Sequence, residues 1–211
     1  MPDLDPNAAA ARADVARLLA ACFYEPGTEF IEEGLFDALR DAAAGIDPQL
    51  AVAAARLGEA FAAAPLEELL VDYTRLFLGP VDTRAKPYGS VWLDDDAPLM
   101  GDSTMAVLQH YEDGGFEVDE GFRDLPDHVA VELEFLYVLL FREAEAQLRH
   151  DTETLAGLTR MRLRFLAEHL GQWVEPFAAA VAAGAETPYY RDLAELTARF
   201  VALETARAGS R

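Results

Sequence analysis

The sequence predicts an all-α protein of about nine to eleven helices, from three observations. Apolar residues recur at i, i+3, i+4 through most of the chain. Between these stripes stand Pro and Gly residues, such as Pro26-Gly27, Gly45, Asp47-Pro48 and Thr187-Pro188, where helices stop or start. No segment alternates like a strand over more than a few positions. An Ala-rich composition, 52% hydrophobic over 211 residues, supports helix and supplies a core. That length fits one domain, or two small subdomains sharing a core.

In chain order, residues 9–23 form an amphipathic helix whose stripe is Val15, Leu18, Leu19, Cys22 and Phe23. A second helix is expected from Thr28 to Ala44, with Phe30, Ile31, Leu35, Phe36 and Leu39 available for burial. A third runs from Pro48 to about Ala64, with Asp47 as N-cap and Pro48 at the first helical position. Pro65 opens a fourth, Glu67 to Leu78, which Gly79-Pro80 ends through a left-handed cap. After a loop over residues 79–98, Pro98 to Tyr111 is helical, with Asp102 or Ser103 near its start. Residues 112–124, with three glycines and six acids, read as an exposed connector and hinge. A long helix then runs to about His150, burying Val129, Leu133, Leu136, Tyr137 and Leu140. Another spans roughly Asp151 to Trp173, Pro176 breaks the chain before a short Ala-rich helix, and Thr187-Pro188 starts the last.

The stretch Asp72 to Asp96 organises the rest. Tyr73, Leu76 and Phe77 share a helix face, and the loop beyond carries Tyr88 and Trp92 beside Pro87, Gly89 and Ser90. Loops on a rigid scaffold concentrate binding groups, so stranded aromatics point to a ligand. Leu76 and Phe77 read equally as core, whereas Tyr88 and Trp92 are the candidates for exposed binding aromatics. Asp94-Asp95-Asp96 reads as a solvated turn. Asp127-His128 either caps the long helix or presents an acceptor and a titratable donor to a ligand.

Other classes fall away. The net charge of −21 repels phosphates, and no basic stripe suggests nucleic acid. With Lys86 the only lysine, the acidity fits solubility in a salty cytoplasm, or alternatively attraction of a basic partner segment. No apolar run reaches the roughly 18–20 residues that cross a bilayer, and the N-terminus does not read as a secretory signal, so a cytoplasmic protein is expected. A single cysteine excludes an intrachain disulfide, and Cys22 reads as packing. His128 and Glu132, one turn apart, supply two metal ligands at most, too few for zinc; the simpler expectation is a hydrogen bond between them. No phosphate loop, HExxH or nucleophile elbow is present. No catalytic residue, metal or cofactor is expected.

Three blocks in order carry a resemblance. They are Tyr73-x-x-Leu76-Phe77-x-Gly79-Pro80 with Pro87-Tyr88-x-Ser90-x-Trp92; Pro126-Asp127-His128-x-x-x-Glu132-Leu133-x-Phe135-Leu136; and Phe165-Leu166, His169-Leu170, Trp173, Phe177 with Thr187-Pro188-Tyr189-Tyr190. Over almost the whole chain the sequence resembles the TorD/DmsD family of chaperones for molybdenum-cofactor oxidoreductases. The resemblance implies an N-terminal subdomain over 1–111, a hinge at 112–124 and a C-terminal subdomain over 125–211. It implies binding of a twin-arginine signal peptide, and of the catalytic subunit behind it, until cofactor insertion is complete. The family's peptide-binding positions fall on Tyr73, Leu76, Phe77, Pro87, Tyr88, Ser90, Asp127 and His128, and Trp92 and Glu132 join them. The chain departs from the pattern at the start of the hinge motif, where Leu125 or Asp124 stands for an acidic residue, and at Tyr73, more often Trp. Alternatives are a client without such a leader, or nucleotide hydrolysis, which no phosphate loop supports. A monomer, or a dimer swapped about the 112–124 connector, is compatible with this reading.

Overall fold

The computed structural model describes residues 6–79, 83–94, 101–118 and 125–207. Among them lie eleven α-helices and one π-helical turn, within the expected range, and no strand. The helices are α1 Pro6–Cys22, α2 Glu29–Glu32, α3 Leu35–Ala44, α4 Pro48–Ala63, α5 Leu66–Tyr73, α6 Gly89–Leu93, α7 Asp102–Gly114, α8 Val129–Leu148, α9 Thr152–Glu168, α10 Leu170–Gly184 and α11 Pro188–Ala206. The π turn, Thr74–Leu78, continues α5.

Asp47 caps α4 as its sequence promises, accepting from the Gln49 and Leu50 amides at 3.0 and 2.9 Å, with Pro48 at the first position. Four expectations need correction. The single helix over 28–44 is two, because Gly34 adopts φ +69°, a left-handed conformation that ends α2. Gly79 ends the π turn with extended rather than left-handed backbone (φ −59°, ψ 137°), and Pro80 lies outside the described residues. The loop over 79–98 contains α6, whose cap comes from a distant part of the chain. The break assigned to Pro176 lies instead at His169 (φ −138°, ψ −97°), and α10 runs straight through the proline. A mid-helix proline costs ~3 kcal/mol. Burial of Trp173 and Phe177, each worth about 1.5–3 kcal/mol, outweighs it.

One hydrophobic cluster runs through the molecule, joining residues from before and after the connector. α1 packs along α8, α4 lies against α3 and α11, and α10 packs against α11, α9 and α6. Phe23, Phe77, Phe177 and Tyr190 meet ring to ring in one part of this core, and Tyr111, Phe135 and Phe165 in another. In the connector, Glu112, Asp113, Gly115 and Glu117 are exposed, while Gly114 is buried. Phe116 packs on Tyr111 and Phe135, and the Tyr111 hydroxyl donates to the Pro126 carbonyl at 2.8 Å; residues 119–124 lie outside the described set.

Four buried charges cross-link the helices. Glu204 of α11 accepts from Arg12 of α1 at 2.8 and 2.5 Å and from Arg162 of α9 at 3.2 Å, and Arg162 also donates to Glu143 of α8 at 2.7 Å. Asp72 plays a similar part at the start of α11. Its buried carboxylate accepts from the Thr187 amide at 2.7 Å and hydroxyl at 2.8 Å, and from the Glu186 amide at 3.0 Å.

Candidate functional site

Two segments distant in sequence are stitched together at one end of α8. The Gly89 amide donates to the Asp127 carbonyl at 2.9 Å and the Val129 amide to the Pro87 carbonyl at 2.8 Å, so Tyr88 and His128 form an isolated antiparallel bridge. Their rings meet edge to face with centroids 5.6 Å apart, and Tyr24, just past α1, stacks on His128 at 6.5 Å.

Asp127 is the pivot of this junction. It is fully buried, and its Oδ2 accepts from the Ser90 amide at 2.8 Å and the Thr104 hydroxyl at 3.4 Å. A carboxylate at the first turn of a helix satisfies otherwise unbonded amides and complements the positive end of the dipole. Asp127 therefore caps α6 rather than its own helix. His128 caps α8, its Nδ1 accepting from the Ala130 amide at 3.1 Å. Among the described residues, Asp127 Oδ1 and Ser90 Oγ, both buried, have no hydrogen-bond partner. Buried polar atoms without partners are uncommon, because each forgoes its hydration for nothing.

The Glu132 carboxylate does not bond to the His128 side chain as expected, although its amide donates to the His128 carbonyl at 3.0 Å. It turns inward, fully buried, with Oε1 2.9 Å from His169 Nε2 and Oε2 accepting from Trp173 Nε1 at 3.1 Å. Burial raises the pKa of Glu132, against the opposing charge and hydrogen bond of His169. Burial alone would lower His169, but the charge and hydrogen bond of Glu132 outweigh it and hold the imidazole above its ordinary value. His110, its ring centroid 6.4 Å from that of His169, goes the other way: burial, then the charge of Arg164, lowers it.

The remaining predicted residues separate into two groups. Pro87, Tyr88, Ser90, Asp127 and His128 form the junction; Trp92, half-buried, sits on α6 with its indole N–H donating to the Lys86 carbonyl at 2.9 Å. Tyr73, Leu76 and Phe77 lie in the core, Leu76 fully buried and Phe77 ringed by Phe23, Phe177 and Tyr190. They are buried, and Phe77 is linked to the junction side through Phe177, which meets Trp92. Asp94 is not a free turn residue. Its carboxylate accepts from the Ser103 hydroxyl at 2.6 Å and ties α6 to the start of α7; Asp95 and Asp96 lie outside the described residues. Exposed apolar side chains continue the surface beside the junction, Val91 on α6 and Met105 on α7.

Sequence reasoning did not single out Gly89, His169 or Trp173 as site residues. The last two stood in the third block of the resemblance, and that was the available signal. Hollows lie away from the junction, one of about 620 Å³ bounded by Ala60, Pro65, Val71 and Pro188, another of about 630 Å³ bounded by Arg56, Arg191 and Asp192. Among the described residues neither is lined by a buried polar atom lacking a partner; two such atoms, on Asp127 and Ser90, stand at the junction, and others belong to Arg75, Arg199 and Arg207. No group of three or more His, Cys, Asp or Glu among the described residues is arranged to hold a metal ion. No described helix is long and apolar enough to cross a membrane.

Known proteins share this architecture. Residues 43–179 match the family model described as nitrate reductase delta subunit. The chain is 31% identical over 182 residues to the Tat proofreading chaperone DmsD of Salmonella typhimurium, covering 86% of this chain and 82% of that protein. It is 29% identical over 140 residues to the chaperone protein TorD of Vibrio parahaemolyticus, covering 66% and 63%. A solved structure described as a redox enzyme maturation protein, from Archaeoglobus fulgidus, shares the fold with a TM-score of 0.51 at 18% identity over 94% of both chains.

Proposed function

The chain belongs to the TorD/DmsD family of redox-enzyme maturation chaperones, part of the nitrate reductase delta subunit family, and on that premise we propose that it binds the twin-arginine signal peptide of a molybdopterin oxidoreductase in the cytoplasm. It holds that leader, and the apo catalytic subunit behind it, until the cofactor is inserted.

The observation that carries the reading is the junction itself. Among the described residues, two buried polar atoms without a partner, Asp127 Oδ1 and Ser90 Oγ, belong to a junction whose Tyr88 and Trp92 are half-exposed. A twin-arginine leader combines guanidinium groups with an apolar stretch. A guanidinium supplies several N–H donors in one plane, and its charge-assisted hydrogen bonds to a carboxylate are roughly twice as strong as neutral ones. The apolar stretch matches Tyr88, Trp92, Val91 and Met105, in the manner of a helix or extended segment laid on an aromatic surface. Because Asp127 is fully buried, an arginine reaches it as the Tyr88 side chain swings aside, while the backbone bonds from Gly89 to Asp127 and from Val129 to Pro87 hold the turn in place. The acidic chain as a whole steers such a cationic peptide toward it.

Calorimetry with a synthetic twin-arginine leader tests the reading. The wild-type protein binds at micromolar affinity or better, and Tyr88→Ala or Asp127→Asn weakens binding by about 1–3 kcal/mol, the range for a central contact. A folded wild-type protein that binds no such leader rejects it.

A further inference from the structure

Gly89 rests on the Glu132 cluster. A Cβ at this position would stand 2.9 Å from Glu132 Oε1, 3.1 Å from His169 Nε2 and 3.1 Å from Trp173 Nε1, closer than side-chain carbons normally come to such atoms. Only a residue without a side chain lets the turn sit so low. The three polar groups beneath come from three places, the first turn of α8, the corner between α9 and α10, and the first turn of α10. None is more than 1% exposed. The next turn of α10 supports the neighbouring aromatic: Phe177 meets Trp173 at 5.3 Å and Trp92 at 6.2 Å between ring centroids. One buried cluster therefore underlies both Tyr88 and Trp92.

Building on the peptide-binding reading above, we propose that Glu132, His169 and Trp173 are positioning residues for that site: together they seat Gly89, hold the Tyr88 turn against Asp127-His128, and link leader affinity to the proton on His169. The charges around His169 set the direction. Glu132 faces it from α8, Asp127 from the junction, Asp94 from the end of α6 and His110 from α7, with Arg164 of α9 3.4 Å from His110. With His169 protonated, the carboxylate of Glu132 is neutralised at 2.9 Å. Loss of that proton leaves the carboxylate of Glu132 buried beneath Gly89 without its counter-charge, with Arg164 engaged at His110. A buried charge without its counter-ion is costly, and the turn lifts to admit water.

The sign follows from the directions of the shifts. His169 is held above its ordinary value, so its contribution is complete below about pH 6.5 and is lost as pH rises through the higher folded value. Glu132 is also raised and acts in the same direction. His110 is lowered, so it acts oppositely, destabilising the fold as pH falls below its ordinary value.

The test uses the full chain and two readouts. Amide hydrogen exchange at Gly89 and Val129 reports the seat directly, and calorimetry with a synthetic twin-arginine leader reports its use. Gly89→Ala, and the milder Trp173→Phe, are expected to speed exchange at both amides roughly tenfold or more and to weaken leader binding comparably. In the wild type, the protection of both amides, taken as exchange relative to the intrinsic rate at each pH, and the leader affinity fall together as pH rises above about 6.5 through the raised value of His169; in His169→Gln neither changes over that range, apart from the opposite contribution of His110. Unaltered exchange in Gly89→Ala and Trp173→Phe overturns the seat, and a wild-type pH slope retained in His169→Gln overturns the link to His169. If the wild type binds no leader, the peptide reading falls, while the exchange rates still decide whether the seat exists.

Discussion

Replacing Glu204 with leucine removes the carboxylate at the centre of the buried charge network while leaving its cations in place. Arg12 and Arg162, whose side chains are 7% and 5% exposed, then share Glu143 alone. Glu143 bonds to Arg162 at 2.7 Å but stands 3.9 Å from Arg12, beyond hydrogen-bond reach. Two positive charges thus face one negative charge in a site closed to water. Burial lowers the pKa of Arg12, and Glu204 outweighs it to raise the value, so the guanidinium depends on the residue being removed. Breaking a buried pair from one side costs about 3–5 kcal/mol. At roughly 2–4 °C per kcal/mol for a chain of this size, Tm falls by roughly 6–20 °C. The double variant Arg12→Met with Glu204→Leu leaves Arg162 and Glu143 balanced, and costs less than Glu204→Leu alone. Urea unfolding followed by circular dichroism measures both. A single-variant cost below about 1 kcal/mol, or costs that simply add, would refute the account of this network.

Two further outcomes are expected. Asp72→Asn destabilises by about 2 kcal/mol at neutral pH, because the Glu186 and Thr187 amides at the start of α11 lose a charged acceptor. Burial opposes the charge of Asp72, but the hydrogen bonds of Thr187 and Arg75 prevail and hold its pKa below the ordinary value; the advantage over Asp72→Asn is therefore present above that value and disappears as pH falls through the folded one, as acid titration of the two stabilities will show. Cys22, fully buried with its thiol pushed up to about 12, resists alkylation in the native protein and reacts only on unfolding, which a mass-spectrometric time course with iodoacetamide measures.

What could be read from the sequence was local. Asp47-Pro48 caps α4 because cap and amides are neighbours in the chain, and the α1 stripe through Cys22 is buried because a period of 3.6 is visible within the helix. The junction was legible only as two motifs, aromatics around Tyr88 and the Asp127-His128 pair, and the resemblance brought them together. Its mechanics were not legible. Asp127 caps a helix 37 residues upstream, and Glu132 bonds to His169 and Trp173, 37 and 41 residues downstream; no spacing rule reaches so far. The same distance hid the roles of Leu76 and Phe77. One apolar face looks alike whether it lines a groove or meets Phe177 and Tyr190 in a core. Pro176 misled because local propensity is weaker than the burial of Trp173 and Phe177 on either side of it.

Photo-crosslinking tests the central claim most directly. A synthetic twin-arginine leader carrying a photoreactive group beside its arginine pair is bound to the protein, irradiated, and the adduct mapped by peptide mass spectrometry. The account predicts adducts within Pro87–Leu93 and Asp127–Glu132, suppressed by Tyr88→Ala. Adducts confined to the hollow around Ala60, Val71 and Pro188, with none at the junction, would contradict it.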